Sequence, residues 1–286
     1  MTSRIKAIDA VVNLWTPEAL ALRSQGRDAF YQDKMRVSED TDGGLSLEVM
    51  LQRMDNAGIE RAFLIAHRCG PDGPRACWRL PYEMVRDAVA AHPDRFSGLA
   101  GLDPTEGMAG VRALEVAVRE MGFIGAHGYP HWFELPPNHA RWYPFYAKCV
   151  ELDIPIQLQV GQSMIYAQDY PTESVGRPIT LDPVACHFPE LKLIGIHVGI
   201  PWTDEMIAMA WKHENVFIGT DAHSPKYLPP SLVRYMDSYG RRKVIFGTDF
   251  PVLDFERTRI EIEGLRLRAE SLECVLRTNA ERVYGL

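Results

Sequence analysis

Cysteine is scarce and scattered in this 286-residue sequence: Cys69, Cys77, Cys149, Cys186 and Cys274, with no CxxC pair among the five. That spacing argues against a disulfide framework and suits reduced thiols in a cytoplasmic protein. No apolar stretch is long enough to span a bilayer, so no membrane partner is expected. The opening MTSRIKAIDAVVNLW lacks the apolar core and small-residue cleavage site of a signal peptide. Positive charge is in deficit, with 31 Lys and Arg against 38 Asp and Glu and a net charge of −7. A chain of that balance offers nucleic acid no basic footprint. The glycine fingerprint GxGxxG is missing after the first expected strand, which weakens an open dinucleotide-binding sheet.

What is present is an ordinary soluble composition, 46% hydrophobic and 24% charged, on a chain long enough for one large core. Short apolar runs alternate with amphipathic ones from end to end. Strands are expected at Ile5–Asn13, Glu60–Ala66, Arg95–Leu102, Gly122–Ala126, Ile154–Val160, Leu191–His197, Asn215–Gly219 and Lys243–Phe246. Helices are expected between them, the first at Leu47–Gly58 with Ser46 as its cap and Gly58 as its stop. Strands that alternate with helices imply βαβ units and a parallel sheet. Eight such units in a chain of this length predict a (β/α)₈ TIM barrel, as one domain over residues 1–286. Residues 14–44 have no strong period and read as a cap or insertion after the first strand, which makes the barrel a distorted one.

Working residues of such a barrel sit at the C-terminal ends of its strands. That rule selects Val11 and Asn13, His67 and Arg68, Asp103, His127, Gln159, His197, Asp221 and His223, and Asp249. Asp249 lies in KVIFGTDFPVL, a buried strand closed by Gly and Pro, where a carboxyl is costly unless paired, ligated or used. Each of the others has a plainer reading. His67 and Arg68 could decorate a loop, Asp103 before Pro104 suits a turn, and Asp221 and His223 could stabilise a loop. His127 and His131, separated by GYP, cannot share a helix face. Trp15, Tyr129, Trp132, Phe133, Tyr166 and Trp202 all follow strands and could stack on a planar ligand.

The stretches IDAVVNLW (8–15), IPIQLQVG (154–161), LKLIGIHVGIPW (191–202), VIFGTDFPV (244–252) and TNAERVYGL (278–286) carry a family resemblance. The chain resembles the amidohydrolase superfamily, in the amidohydrolase-2 branch that includes aminocarboxymuconate-semialdehyde decarboxylase. The resemblance implies a distorted (β/α)₈ barrel, and dimers are common in the family, so a homodimer is expected by analogy. The family usually places HxH or ExH at the end of strand one, where this chain has Val11 and Asn13. Its strand-five histidine falls on Gln159, and only His197 and Asp249 match the remaining ligands. One imidazole and one carboxylate fall short of the three protein ligands of a catalytic zinc.

Three functions follow. The first is a metal-independent hydrolase of a small cyclic or aromatic carboxylate, ester or lactone, since the branch includes a metal-independent lactonase. Asp249 and His197 would be its catalytic pair, with Asn13, Gln159, His127, Arg68, Trp15 and Trp202 binding the substrate. The second is a metal-dependent decarboxylase or hydrolase that holds zinc through His197, Asp249 and a substitute such as His127 or His223. The third is a non-catalytic barrel that binds a small acid.

Overall fold

The computed structural model describes residues 4–24, 32, 34–72, 77–164 and 171–286. Eight parallel strands form one sheet: β1 (Ala7–Asn13), β2 (Ile59–Ala66), β3 (Phe96–Gly101), β4 (Gly125–Gly128), β5 (Ile156–Gln159), β6 (Leu193–Ile196), β7 (Val216–Gly219) and β8 (Val244–Ile245). They pair in chain order, each with the next. The outer layer is α1 (Leu47–Ala57), α2 (Tyr82–Ala91), α3 (Met108–Arg119), α4 (Tyr143–Glu151), α5 (Leu181–His187), α6 (Thr203–Lys212), α7 (Pro230–Met236) and α8 (Phe255–Gly264). Strands covered by helices on one side and by the barrel interior on the other are buried on both faces. Residues Ala62–Ala66 of β2 and all of β1 accordingly lack an exposed position. The first helix starts and stops where its cap residues predict. Ser46 Oγ accepts from Val49 N–H, and Gly58 takes the left-handed conformation.

The fold is a TIM barrel, and its seam lies between β1 and the segment after β8. One isolated bridge, Val12 to Phe250, crosses it, and three backbone bonds close it. Ala10 N–H donates to Phe246 O at 3.0 Å, Asp249 N–H to Val11 O at 2.8 Å, and Asn13 N–H to Phe250 O at 3.1 Å. A fully buried carboxyl reinforces them. Asp9 Oδ1 accepts from the N–H groups of Val11 (3.2 Å) and Thr248 (3.0 Å), and Asp9 Oδ2 lies 2.6 Å from Thr248 Oγ1. Burial still dominates and raises the Asp9 carboxyl to about 7, against the lowering effect of these bonds.

The fourth strand runs Gly125–Gly128 instead of Gly122–Ala126. The turn at Gly122 (φ +72°) and Phe123 precedes it, so His127 is a strand residue and not the first loop residue. Of residues 14–44, the described part holds a short helix at Pro17–Leu20 and a 3₁₀ turn at Glu39–Thr41. No helix among the described residues is long and apolar enough to cross a membrane.

A carboxyl whose pKa rises on folding holds more protons in the folded state than in the unfolded one. Its contribution to stability is complete below 3.8 and is lost as the pH rises to about 7. Asp9→Asn mimics the neutral acid and does not titrate. The parent should therefore lose roughly 1 to 4 kcal/mol relative to Asp9→Asn across that window. Paired denaturant melts at several pH values measure it. A stability difference independent of pH would show that Asp9 does not titrate on folding.

Candidate active site

A cavity of about 290 Å³ opens at the C-terminal ends of the strands. Strand β1 contributes Val11 and Asn13, the end of β2 His67, β4 His127, and β5 Gln159. His197 follows β6, His223 follows β7 and Asp249 follows β8, while the short helix Pro130–Phe133 adds His131 and Trp132. Tyr129, Cys69, Lys34 and Met164 also line it.

His197 and two carboxyls form its centre. His197 Nε2 lies 3.2 Å from Asp221 Oδ2 and 3.8 Å from Asp249 Oδ2. The nearer pair is within ion-pair reach yet poorly aligned, so neither His197 Nε2 nor Asp221 Oδ2 has a hydrogen-bond partner. Asp221 Oδ1 accepts from His197 N–H at 3.2 Å. Asn13 Nδ2 donates to Asp249 Oδ1 (2.9 Å) and to Phe250 O (2.7 Å). Since Phe250 O can only accept, the amide nitrogen, not its oxygen, faces the carboxyl. Four residues of this centre without glycine's freedom are left-handed: His197 (φ 65°), Val198 (φ 60°), Ala222 (φ 62°) and Asp249 (φ 59°). Such conformations cost about 1–3 kcal/mol each and concentrate at functional sites. Gly219 and Gly247 give Asp221 room, because a Cβ on Gly219 would stand 2.8 Å from Asp221 Oδ1.

The cavity is built to hold neutral groups. Burial raises Asp221 to about 7. Burial, then Asp221, and more weakly Asp9, push Asp249 well above the usual carboxyl range, against the bond from Asn13. Asp249 keeps 17% of its side chain open to the cavity, so it is shielded yet reachable. The imidazoles move the other way. Burial lowers His127 to about 3, and His131, His197 and His223 to about 4, with His67 also well below its usual value. His67 stacks on Trp78 at 4.1 Å, and its Nδ1 meets the Tyr129 hydroxyl.

Most of the residues expected at the site gather here: Asp249, His197, Asn13, Gln159 and His127. Three do not. Arg68 is adjacent to His67 and so points to the opposite side; it donates to His67 O and Leu80 O and lies over the Tyr82 ring at 4.6 Å. Trp15 is buried away from the cavity, donating to Thr41 O and meeting Trp78 edge-on. Trp202 caps α6, with the Arg177 guanidinium 5.5 Å over its ring. Phe133 packs edge-on against Trp142, and Tyr166 lies outside the described residues. The sequence reading missed Asp9 and Gln157 and gave His131 little weight. Gln157 was legible as the inward partner of Gln159 in IPIQLQV, two positions apart on a strand.

The donor set does not fit a metal ion. Val11 offers nothing, Asn13 turns N–H groups toward Asp249, and no three Asp, Glu, His or Cys ligand atoms converge in the mouth among the described residues. Among the described residues the one such group is Asp182, Cys186 and His213, outside the barrel on α5 and just beyond α6. Its Asp182 already bonds Lys212 at 2.6 Å and His213 at 2.7 Å.

A family profile described as amidohydrolase matches residues 8–286. The gamma-resorcylate decarboxylase of Rhodococcus jostii is 24% identical over 296 residues, covering 84% of this chain and 87% of that protein. Among solved structures, a TIM-barrel protein of Bordetella bronchiseptica superposes with a TM-score of 0.77 at 22% identity, over 97% of this chain and 98% of that one. The 5-carboxyvanillate decarboxylase of Novosphingobium aromaticivorans, solved with manganese, gives a TM-score of 0.69 at 17% identity and covers 100% of both chains.

Val11, Asn13, Gln159, His197 and Asp249 all line one cavity, so restoring imidazoles should restore a metal site. The triple variant Val11→His, Asn13→His and Gln159→His should melt below the parent without metal, because Val11→His places a polar ring where an apolar side chain sat. Its melting temperature should then climb with zinc concentration while the parent's does not. Thermal melts across a zinc titration test this. A folded triple variant that ignores zinc would refute the placement, and equal stabilisation of the parent would refute the donor-set argument.

Proposed function

The chain belongs to the amidohydrolase family, and from that premise we propose that it is a lyase that decarboxylates a small aromatic or cyclic carboxylic acid through its own side chains. The observation that carries this reading is Asp249, a half-buried carboxyl that faces the cavity beside Asp221 and the neutral imidazole of His197. Hydrolysis, the first expectation from sequence, is less well supported. The Rhodococcus relative, aligned over most of this chain, is named as a decarboxylase of an aromatic acid, and a neutral acid suits proton delivery to carbon.

In this reading Asp249 is the general acid. Its Oδ1 is held by Asn13 at 2.9 Å, which leaves Oδ2 to carry the proton. That proton passes to the ring carbon bearing the substrate carboxylate. The bond to the carboxylate then breaks, its electron pair restores the ring, and carbon dioxide departs. Asp249, now ionised and open to the cavity, regains its proton from water that enters as carbon dioxide leaves, while His197, whose Nε2 lies between the two carboxyls, holds Asp249 in place. Tyr129 and Trp132 line the cavity and give the substrate ring apolar faces to pack on.

Asp249→Asn should lower turnover by about 10²–10⁴-fold, the range of general acid–base catalysis. In the parent, kcat should fall as rising pH ionises Asp249, since the protonated form is the active one. Chromatography of a panel of benzoic acids and their decarboxylated products, with kcat followed from about pH 5 to about pH 9, measures both. Unchanged turnover in a folded Asp249→Asn variant would reject the assignment. A kcat that climbs with pH would make Asp249 a base, and cleavage of esters or lactones without loss of carbon dioxide would return the reading to hydrolysis.

A further inference from the structure

Two imidazoles in the cavity are held in opposite senses. His127 Nδ1 lies 2.9 Å from Gln157 Oε1, and Gln157 Nε2 lies 2.7 Å from Ala10 O and 2.5 Å from the Tyr284 hydroxyl. Ala10 O can only accept, so the nitrogen of the Gln157 amide must face it and the oxygen must face His127. His127 therefore carries its proton on Nδ1, and its Nε2 is a bare lone pair. His131 is the reverse case. The backbone N–H of Val175 donates to His131 Nδ1 at 3.2 Å, so that nitrogen is the acceptor and the proton sits on Nε2. Both residues are buried, both line the cavity, and neither Nε2 has a hydrogen-bond partner among the described residues.

A buried acceptor without a donor has given up its hydration for nothing in return, a deficit that a ligand can remove. We infer that Gln157 is a positioning residue that makes His127 the acceptor for a hydroxyl of the substrate, while Nε2–H of His131 donates to an oxygen of the same molecule. The ligand the cavity selects is then an acid with a separate O–H to give, not a bare carboxylate. A methyl ether in place of that hydroxyl leaves His127 Nε2 unpaired and pushes a methyl group against it. The inference rests on this cavity being the substrate site, as the proposed decarboxylation does, but not on the reaction itself. Gln157 touches no substrate, since it lies behind His127 between Ala10 of β1 and Tyr284 near the C-terminus. Burial keeps both rings neutral at ordinary pH, with His127 at about 3 and His131 at about 4.

The test reads the tautomers directly. Two-bond proton–nitrogen correlation spectra of the full chain, labelled at histidine and assigned with His127→Asn and His131→Asn, should show His127 protonated on Nδ1 and His131 on Nε2. Gln157→Met should remove the Nδ1 preference at His127, and Gln157→Glu, which as a buried neutral acid can both accept and donate, should retain it. In parallel, calorimetric affinities for meta-hydroxybenzoate and its methyl ether should differ by about tenfold in the parent, the value of one hydrogen bond. The ratio should fall toward one in His127→Phe and in Gln157→Met, and recover in Gln157→Glu. A His127 ring protonated on Nε2 in the parent, or equal affinity for phenol and ether, would overturn the inference even if decarboxylation is observed. Absence of decarboxylation with the tautomers and the phenol preference intact would overturn the reaction and leave the inference standing.

Discussion

The contact between the first strand and the segment after the last one sets the geometry of the site. Asp249 N–H bonds Val11 O, Asn13 N–H bonds Phe250 O, and Asp9 grips Thr248 through both carboxyl oxygens. These bonds join residues about 240 positions apart, as the separation of 239 between Asp9 and Thr248 shows. They fix where Asp249 stands relative to Asn13, and hence which of its oxygens is occupied. A barrel sheet has no free edges once closed, so the weakest closure decides how rigidly the mouth is held. Here the segment after the shortest barrel strand, Val244–Ile245, closes it through one isolated bridge and a few backbone bonds, which side-chain bonds supplement.

The second organising fact is the suppression of charge. Three carboxyls, Asp9, Asp221 and Asp249, are shifted upward, and five imidazoles, His67, His127, His131, His197 and His223, are shifted downward. Both shifts have the same leading cause, withdrawal from water, which penalises whichever form is charged. The carboxyls cannot neutralise one another, and the imidazoles are too dehydrated to serve as their counter-ions. A cation-holding centre would need ligand atoms converging on one point. This centre has an amide N–H in place of a ligand, and lone pairs and N–H groups set individually by their neighbours.

Much of this was legible from the sequence, because barrel strands declare their own ends. The alternation of short apolar runs and amphipathic stretches gave eight strands, and the residues closing them included Asn13, His127, Gln159, His197 and Asp249, which do share the cavity. The readings that failed did so for reasons outside local pattern. Arg68 and His67 are neighbours in sequence, and only the pleat decides which of them faces inward. Trp15 and Trp202 follow strands as expected, yet each is claimed by a partner elsewhere, Trp78 and Arg177. Asp9 and Gln157 were passed over because their meaning lies in partners at the far end of the chain, Thr248 and Tyr284.

The left-handed backbone at His197, Val198, Ala222 and Asp249 sets stability against the site. Glycine would relax each of these positions, and asparagine is the side-chain-bearing residue that tolerates the conformation best. The substitutions that would relieve the strain at His197 and Asp249 are therefore the ones that remove the imidazole and the acid, so stability gained at the rim of this barrel comes at the expense of its polar centre.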